Sequence, residues 1–290
     1  MITFGVVAKE WAAIHKTQVR YSTWPDYVST MNGHILPVFK DIPIAEITYR
    51  DVTKFRSRLK VGTKRANNIL VPMKSVFDYA HQAGIITDNV MRKIKRLPEE
   101  APEIHPFTFE EVNRILDAVH TWFRPYLTVA IFTGMRAGEL NGLEWSDFLE
   151  DMKPEPHIFI HRTYVYKKDG VPKTKKSKRY IKCLPQVLDS LEEQRKLTGN
   201  RKHIFLTVDG QRMTPDHIRK EVWTPALEKA GIDYRPPLQT RHTFATMMLS
   251  VGEDVGWVQN MLGHSSLQMI FQRYYAWVPR HTRSDGQAFM

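Results

Sequence analysis

Two arginines, a histidine and a tyrosine stand in short segments from which they could act together on a phosphate ester. Arg136 follows Gly134, which can end a helix, so Arg136 is expected at the start of the next helix. Arg241 stands at the head of another predicted helix, and His264 stands ten residues before Tyr274. A guanidinium keeps its charge and offers paired donors to phosphate oxygens, while a tyrosine hydroxyl can attack phosphorus. Taken singly, each of these residues is more often structural.

A run of cations from Pro172 to Arg179 adds a possible proton donor. It lies in a segment, roughly 157–183, that is rich in β-branched and aromatic residues, and we predict a β-rich insert there with a turn at Asp169–Gly170. A hairpin tip loaded with lysines could enter a DNA groove or reach a phosphate. By itself, a solvated charged turn would be the commoner arrangement.

The order and spacing of these segments resemble the tyrosine recombinase (phage integrase) family. The resemblance is carried by the Thr-Gly-Met-Arg turn, the basic hairpin, the Arg-His-Thr box, the Leu-Gly-His box and the tyrosine near the C-terminus. It implies an enzyme that cuts and rejoins DNA strands through a 3′-phosphotyrosyl intermediate. Such a site-specific recombinase would integrate or excise phage or other mobile DNA.

The resemblance also assigns a role to each matching residue. The implied catalytic residues are Arg136, Lys173, Arg241, His264 and Tyr274. The arginines and the histidine would contact the phosphate oxygens, the lysine would protonate the leaving 5′ oxygen, and the tyrosine would be the nucleophile. No metal or other cofactor is implied, because the cationic side chains would stabilise the charge of the transition state.

One position departs from the family pattern. Three residues before Arg241, where the family usually has a histidine, this chain has Leu238, which cannot accept a proton. The departure leaves the proton acceptor unidentified. By the same resemblance Glu139 would support Arg136, and His242 is expected to support the start of its own helix.

Two adjacent tyrosines compete for the role of nucleophile. Tyr274 and Tyr275 on a short helix would point about 100° apart, so only one can face the pocket. The Tyr-x-x-Trp spacing from Tyr274 to Trp277 resembles one branch of phage integrases and favours Tyr274. Tyr275 would then pack at a surface exchanged between neighbouring subunits.

The elements that must position these residues are mainly α-helices with a small β-sheet insert. The residue pattern predicts a helical domain over residues 1–97, a proline-containing linker over 98–106 and a mixed α/β domain over 107–290. The resemblance implies that the first is a SAM-like core-binding domain and that the last is the catalytic domain, which ends in an exchange segment. Helix starts are predicted at Ser22–Thr23, Thr48 with Asp51, Thr63 and Thr108 with Glu111, and a helix stop is predicted at Gly84.

The charge balance favours a polyanionic partner. Lys and Arg outnumber Asp and Glu by 42 to 31, which gives a formal net charge of +11. One basic cluster near a predicted helix junction could contact phosphates and base edges. Its residues are Lys54, Arg56, Arg58, Lys60, Lys64, Arg65 and Asn67. The single cysteine, Cys183, excludes an intramolecular disulfide and a cysteine-based zinc site, and no apolar run approaches a membrane span or a signal peptide.

The resemblance implies that the partner is double-stranded DNA carrying attachment (core) sites, in the cytoplasm and nucleoid of a bacterial host. The family assembles as a homotetramer on two such sites by exchanging C-terminal segments, and accessory DNA-bending or directionality proteins can take part. The family's extra N-terminal arm-binding domain is not expected within this sequence. Two alternatives remain open: a type IB topoisomerase, and a catalytically weak or inactive DNA-binding protein of the same fold.

Overall fold

A computed structural model of the chain describes residues 1–100, 103–172 and 175–277. The chain divides into two compact units, Met1–Pro102 and Glu103–Met290, each with a hydrophobic core of its own. The mainly helical fold with a small sheet confirms the predicted fold class. Among the helices described here, none is long and apolar enough to cross a membrane.

The first unit is a helical bundle. Its helices are α1 (Phe4–His15), α2 (Trp24–Thr30), α3 (Leu36–Phe39), α4 (Tyr49–Ser57) and α5 (Thr63–Gln82), with a π-helical segment at Met31–Ile35 and short 3-10 segments at Ile44–Glu46 and Val90–Lys93. The predicted capping box forms: the backbone N–H of Asp51 donates to Thr48 Oγ1 at 3.3 Å, and the backbone N–H of Thr48 donates to Asp51 Oδ2 at 2.9 Å. Gly84 adopts φ 71° just after α5, as its predicted role as a helix stop requires. Thr63 is the first residue of α5 rather than its cap, a position that Gly62 occupies.

The second unit surrounds a buried central helix with further helices. The helices are α6 (Phe109–Ala118), α7 (Arg124–Thr133), α8 (Ala137–Leu140), α9 (Pro185–Thr198), α10 (Pro215–His217), α11 (Thr224–Ala230), α12 (Gln239–Ser250), α13 (Val255–Leu262) and α14 (Leu267–Tyr274), with a π-helical segment at Ile218–Trp223 and 3-10 segments at Thr121–Phe123, Trp145–Asp147, Lys175–Ser177 and Tyr275–Trp277. Helix α12 packs against α7, α13 and α14 and is buried on all sides over most of its length. That position explains why its sequence shows no clear apolar stripe.

Within the described residues, four strands of the predicted insert and one strand just before it form two small antiparallel sheets. Strands β1 (Phe148–Leu149), β2 (His157–Ile160) and β5 (Arg179–Lys182) form one sheet in the order β1-β2-β5, and β3 (Thr163–Val165) pairs with β4 (Lys168–Gly170). The hairpin turn between β3 and β4 lies at Tyr166 and Lys167, which both have positive φ. The predicted turn at Asp169–Gly170 is therefore wrong: these two residues end β4 and pair with β3.

Side chains and close backbone packing hold this hairpin against the body of the unit. Arg212 lies over the ring of Tyr164 at 3.6 Å and donates to both carboxylate oxygens of Asp169 at 2.7 and 2.8 Å. A Cβ atom on Gly138 of α8 would come within 2.9 Å of Val165 Cγ2 in β3. Gly138 therefore permits close packing of α8 on the hairpin. The basic segment follows β4, a strand of this anchored hairpin.

Candidate active site

Arg136 occupies the position expected for it at the start of a helix. Gly134 ends α7 with φ 63°, and Arg136 caps α8. Its backbone N–H donates to Glu139 Oε2 and its Nη1 to Glu139 Oε1, both at 3.0 Å. The side chain of Arg136 remains partly exposed, so its other donors can reach a ligand.

Glu139 is a buried carboxylate held between two arginines. Only 2% of the residue is exposed, and Arg179 Nη1 and Nη2 donate to its two oxygens at 3.1 and 2.9 Å. Burial alone would raise the pKa of Glu139, but Arg179 and Arg136 outweigh it and hold the pKa below its usual value. Glu139 is thus ionised and orients Arg136, consistent with the supporting role expected from the sequence.

Arg179 is a component of the site that the sequence analysis did not single out. Its buried guanidinium also donates to the carbonyls of Met261 at 2.8 Å and Ser177 at 3.0 Å, so it joins strand β5, α8 and the end of α13. A Cβ on Gly263 would lie 2.9 Å from Arg179 Nη1. A signal was present in the sequence: Ile181 is two residues further along the strand, so the two side chains share one face and Arg179 must point inward.

Arg241 is buried in α12 and joins the two glycine-containing turns. It donates from Nη1 to the carbonyl of Gly134 at 2.7 Å and from Nη2 to the carbonyl of Leu262 at 2.6 Å. Burial, and then the nearby charge of Arg136, lower the pKa of Arg241 to about 9, so it remains a cation at neutral pH. Both carbonyls lie at helix C-termini, where a cation is favourable.

His264 lies in the turn after α13 and is buried. Its Nδ1 has no hydrogen-bond partner among the residues that the structure describes. Burial, and then Arg241 and Arg136, lower the pKa of His264 to about 3, so the imidazole is neutral. Lys176 Nζ donates to the carbonyl of the next residue, Ser265, at 3.0 Å, so Lys176 contacts this turn. Lys173, the expected proton donor of that segment, lies outside the described residues.

Tyr274 points into the interior, and its hydroxyl meets His242. The tyrosine is 1% exposed, and its Oη lies 2.6 Å from His242 Nδ1. Burial raises the pKa of Tyr274, and the charges of Arg241, Arg273 and Arg136 oppose that rise. Helix α12 directs the ring of His242 at the tyrosine hydroxyl, a contact that goes beyond the expected support of the helix start.

The neighbouring tyrosine and Leu238 occupy different environments. Tyr275 is 51% exposed and packs edge-on against Phe271. Leu238 is 57% exposed at the N-cap of α12 and supplies no polar atom to the site. The described part of the second unit therefore contains one cluster of side chains that are connected through hydrogen bonds or charge. Its members are Arg136, Glu139, Arg179, Arg241, His242, His264 and Tyr274.

The basic cluster of the first unit is largely at the surface. Its exposed members are Lys54, Arg58, Lys60, Lys64 and Arg65, and Arg56 is half-buried with its guanidinium bonded to the carbonyl of Lys95 at 2.7 Å. Asn67 must be removed from the set of expected DNA contacts because it is buried. Its Nδ2 donates to Leu97 O at 3.0 Å and Glu99 Oε1 at 2.7 Å, and its Oδ1 accepts from Leu97 N, so it holds the segment that follows the bundle.

Models of known protein families match both units of the chain. The model of the phage integrase family matches residues 106–281, and that of the phage integrase N-terminal SAM-like domain matches residues 3–60. The chain is 25% identical to prophage integrase IntR of Escherichia coli K12 over 95% of this chain and 76% of that protein. It is 27% identical to the ICEBs1 integrase of Bacillus subtilis over 84% of this chain and 71% of that one.

Solved structures share the fold. The Tn1549 transposon integrase in complex with a circular intermediate DNA superposes with a TM-score of 0.81 at 19% identity, covering 94% of this chain and 95% of that one. A lambda integrase tetramer bound to a Holliday junction gives a TM-score of 0.77 at 18% identity, covering 92% and 78%. The chain belongs to the phage integrase family of tyrosine recombinases, enzymes that cut and rejoin DNA strands.

Proposed function

We propose that this chain is a site-specific recombinase for phage or other mobile DNA, with Tyr274 as its nucleophile. The observation that carries the proposal is the position of the Tyr274 hydroxyl, which is buried beside a histidine and within the field of Arg241 and Arg136. Tyr275 is half-exposed and packs on Phe271 instead. A buried hydroxyl among cations suits attack on an anionic ester, because the cations offset the charge that the reaction gathers.

The arginines would act on the phosphate rather than on the tyrosine alone. In the transition state, negative charge builds on the non-bridging phosphate oxygens, and the free donors of Arg136 and Arg241 can bind them. His264, neutral before DNA binds, can donate a further hydrogen bond. Removing one such donor typically costs about 10²–10³ in rate. Glu139 and Arg179 would hold the side chain of Arg136 in position as the phosphate passes from the ground state to the transition state.

Lys173 is the proposed proton donor to the leaving 5′ oxygen. The contact between Lys176 and Ser265 supports this role, because Lys176, three residues after Lys173 in the sequence, lies beside the turn that carries His264. Attack by Tyr274 would leave a 3′-phosphotyrosyl bond that stores the energy of the broken ester. A second 5′ hydroxyl can then displace the tyrosine, so religation requires neither ATP nor a metal.

The first unit would supply binding to double-stranded DNA. We assign core-binding to residues 1–97, a linker to 98–106 and catalysis to 107–290, and the exposed basic cluster would contact phosphates. Relatives solved on DNA include a lambda integrase tetramer on a Holliday junction. By analogy, four copies of this chain would act on two core sites in the bacterial nucleoid and would exchange C-terminal segments with one another. Accessory proteins that bend DNA or set the direction of recombination could take part.

A pair of Tyr→Phe variants on a suicide substrate tests the proposal. The substrate is a core-site duplex, cut from DNA flanking the element, with a nick that traps the covalent adduct, and the reaction contains excess chelator. Tyr274→Phe should bind DNA normally and form no adduct, whereas Tyr275→Phe should form it.

Other outcomes would point to other functions. Adducts in both variants would contradict a tyrosine mechanism at this position, and the absence of adducts in the unchanged protein would indicate an inactive binder. Relaxation of supercoils without exchange between two sites would indicate a topoisomerase. Strict dependence of cutting on magnesium would indicate a nuclease.

A further inference from the structure

The contact between His242 and Tyr274 joins the buried helix α12 to the end of α14 at the reacting atom. His242 lies on α12 and Tyr274 at the end of α14, and the Nδ1 to Oη distance is 2.6 Å. The phenol has one proton to donate, and an imidazole nitrogen is an acceptor when it carries no proton. In the neutral tautomer whose ring proton lies on Nε2, the tyrosine donates to His242 Nδ1.

The two arginines, Glu139 and Leu238 are poor candidates to receive the tyrosine proton. Arg136 and Arg241 have no acceptor atom. Both oxygens of Glu139 already accept from Arg179 and Arg136. Leu238 is apolar, and its side chain is exposed at the start of α12.

We propose that His242 is the catalytic proton acceptor for Tyr274 during strand cleavage and returns the proton during religation. The inference rests on the proposed function, and it assigns to this residue the role that Leu238 cannot fill. His242 is four residues after Leu238, roughly one helical turn further along the chain. Leu238 is exposed at the N-cap of α12, whereas the buried ring of His242 reaches the hydroxyl of Tyr274.

The step balances without any added reagent. A lone pair of Tyr274 Oη forms the bond to phosphorus as the phenolic proton moves to His242 Nδ1. The P–O5′ bond breaks, its electron pair stays on the 5′ oxygen, and that oxygen takes a proton from Lys173. In religation the incoming 5′ hydroxyl attacks phosphorus and gives its proton to the lysine, the bond to Tyr274 breaks, and the imidazolium returns its proton to the phenolate.

The electrostatics of the site suit a base that is neutral before reaction. Burial, and then Arg273 and Arg241, lower the pKa of His242 to about 4, so at neutral pH the ring is ready to accept. A base as weak as His242 can take the phenolic proton because that proton becomes more acidic as the oxygen of Tyr274 bonds to phosphorus. The bound phosphate, with its negative charge beside Arg241, also stabilises the imidazolium that forms.

The test replaces His242 with residues that separate proton transfer from hydrogen bonding. Asparagine can place its amide oxygen near the position of Nδ1, so His242→Asn keeps an acceptor for the hydroxyl but cannot take the proton. His242→Ala removes both. Single-turnover cleavage of the suicide substrate should fall by about 10²–10⁴ in both variants, the range for a lost general base. DNA affinity should be unchanged, and rates are normalised to the folded fraction measured by circular dichroism.

A sulfur-substituted substrate separates this base from leaving-group assistance. With a 5′-bridging phosphorothiolate the departing thiolate needs no proton, so Lys173→Ala should recover most of its cleavage while His242→Asn should stay slow. His120→Asn is the matched control. His120 caps a 3-10 turn by accepting from Trp122 N at 3.2 Å, a role that asparagine also fills, and its cleavage should be unchanged.

Two results would overturn the inference. Near-normal cleavage by folded His242→Asn would reduce the histidine to a hydrogen-bond acceptor that only positions the tyrosine. Recovery of the cleavage rate of His242→Asn on the sulfur substrate would show that His242 assists departure of the 5′ oxygen instead of accepting the tyrosine proton. Failure of the proposed function is distinguishable from both, because it would appear as adducts in Tyr274→Phe or as no adduct in the unchanged protein.

Discussion

Replacing Glu139 with glutamine removes one charge from the buried centre of the active site and changes little else. The carboxylate accepts hydrogen bonds from Arg136 and from both terminal nitrogens of Arg179, and Arg179 is itself buried. A glutamine amide would present donors to a guanidinium that has only donors. The variant therefore leaves the Arg179 cation buried without its counter-ion.

The size of the effect follows from that burial. Removing one partner of a buried ion pair costs about 3–5 kcal/mol of unfolding free energy. For a domain of about 150–250 residues, each kcal/mol lowers the melting temperature by about 2–4 °C. The second unit, Glu103–Met290, falls in this size range, so its melting temperature should drop by roughly 6–20 °C. Cleavage should also fall, because Arg136 loses its orientation.

Calorimetry on the full chain measures this change, with two matched controls. Glu150→Gln removes the partner of Arg195 from a pair whose side chains are 54% and 49% exposed, and it should cost less than about 1 kcal/mol. Adding Arg179→Leu to Glu139→Gln removes the orphaned cation and should recover much of the loss. A melting temperature for Glu139→Gln equal to that of Glu150→Gln would refute the reasoning.

Three further predictions concern DNA binding, Leu238 and acid stability. DNA affinity should fall by about 10³–10⁵ between about 50 and 200 mM salt if six to ten cations contact phosphates, and a flat response in a binding titration would contradict DNA as the main partner. Leu238→His should keep or raise the rate of adduct formation because it adds a proton acceptor at an exposed site, and a large loss would contradict that. The unfolding free energy, measured in urea, should fall from pH 6.5 to pH 5. The pKa values of His242 and His264 are lowered to about 4 and about 3 in the folded state, so the unfolded chain takes up protons first as the pH falls. An equal unfolding free energy at the two pH values would contradict this.

Local signals in the sequence were sufficient for many elements. The capping box of Thr108 and Glu111 forms as predicted, with hydrogen bonds of 2.9 and 3.1 Å, because its two partners are three residues apart on one helix turn. Gly134 ends α7 with a positive φ for a similarly local reason. These features depend on backbone geometry within a few residues, and sequence spacing describes that geometry directly.

Side-chain partners across the fold could not be predicted in the same way. Asn67 follows a run of surface cations, yet it is buried and holds residues 97–99. The predicted turn at Asp169–Gly170 matched a common turn sequence. In the structure, Arg212 donates to the carboxylate of Asp169 within β4, and Tyr166 and Lys167 make the turn instead. In both cases a partner at least 30 residues away decided the outcome.

The sequence by itself determined which chemical groups are present and in what order: two arginines at helix starts, a basic hairpin segment, a histidine turn and a terminal tyrosine. Only the tertiary structure decided which of these groups meet. Arg179 reaches Glu139 across 40 residues, and His242 reaches Tyr274 across 32. Such contacts depend on how α8, α12, α14 and β5 pack, because the direction of a side chain in space is set by packing that spacing along the chain does not describe.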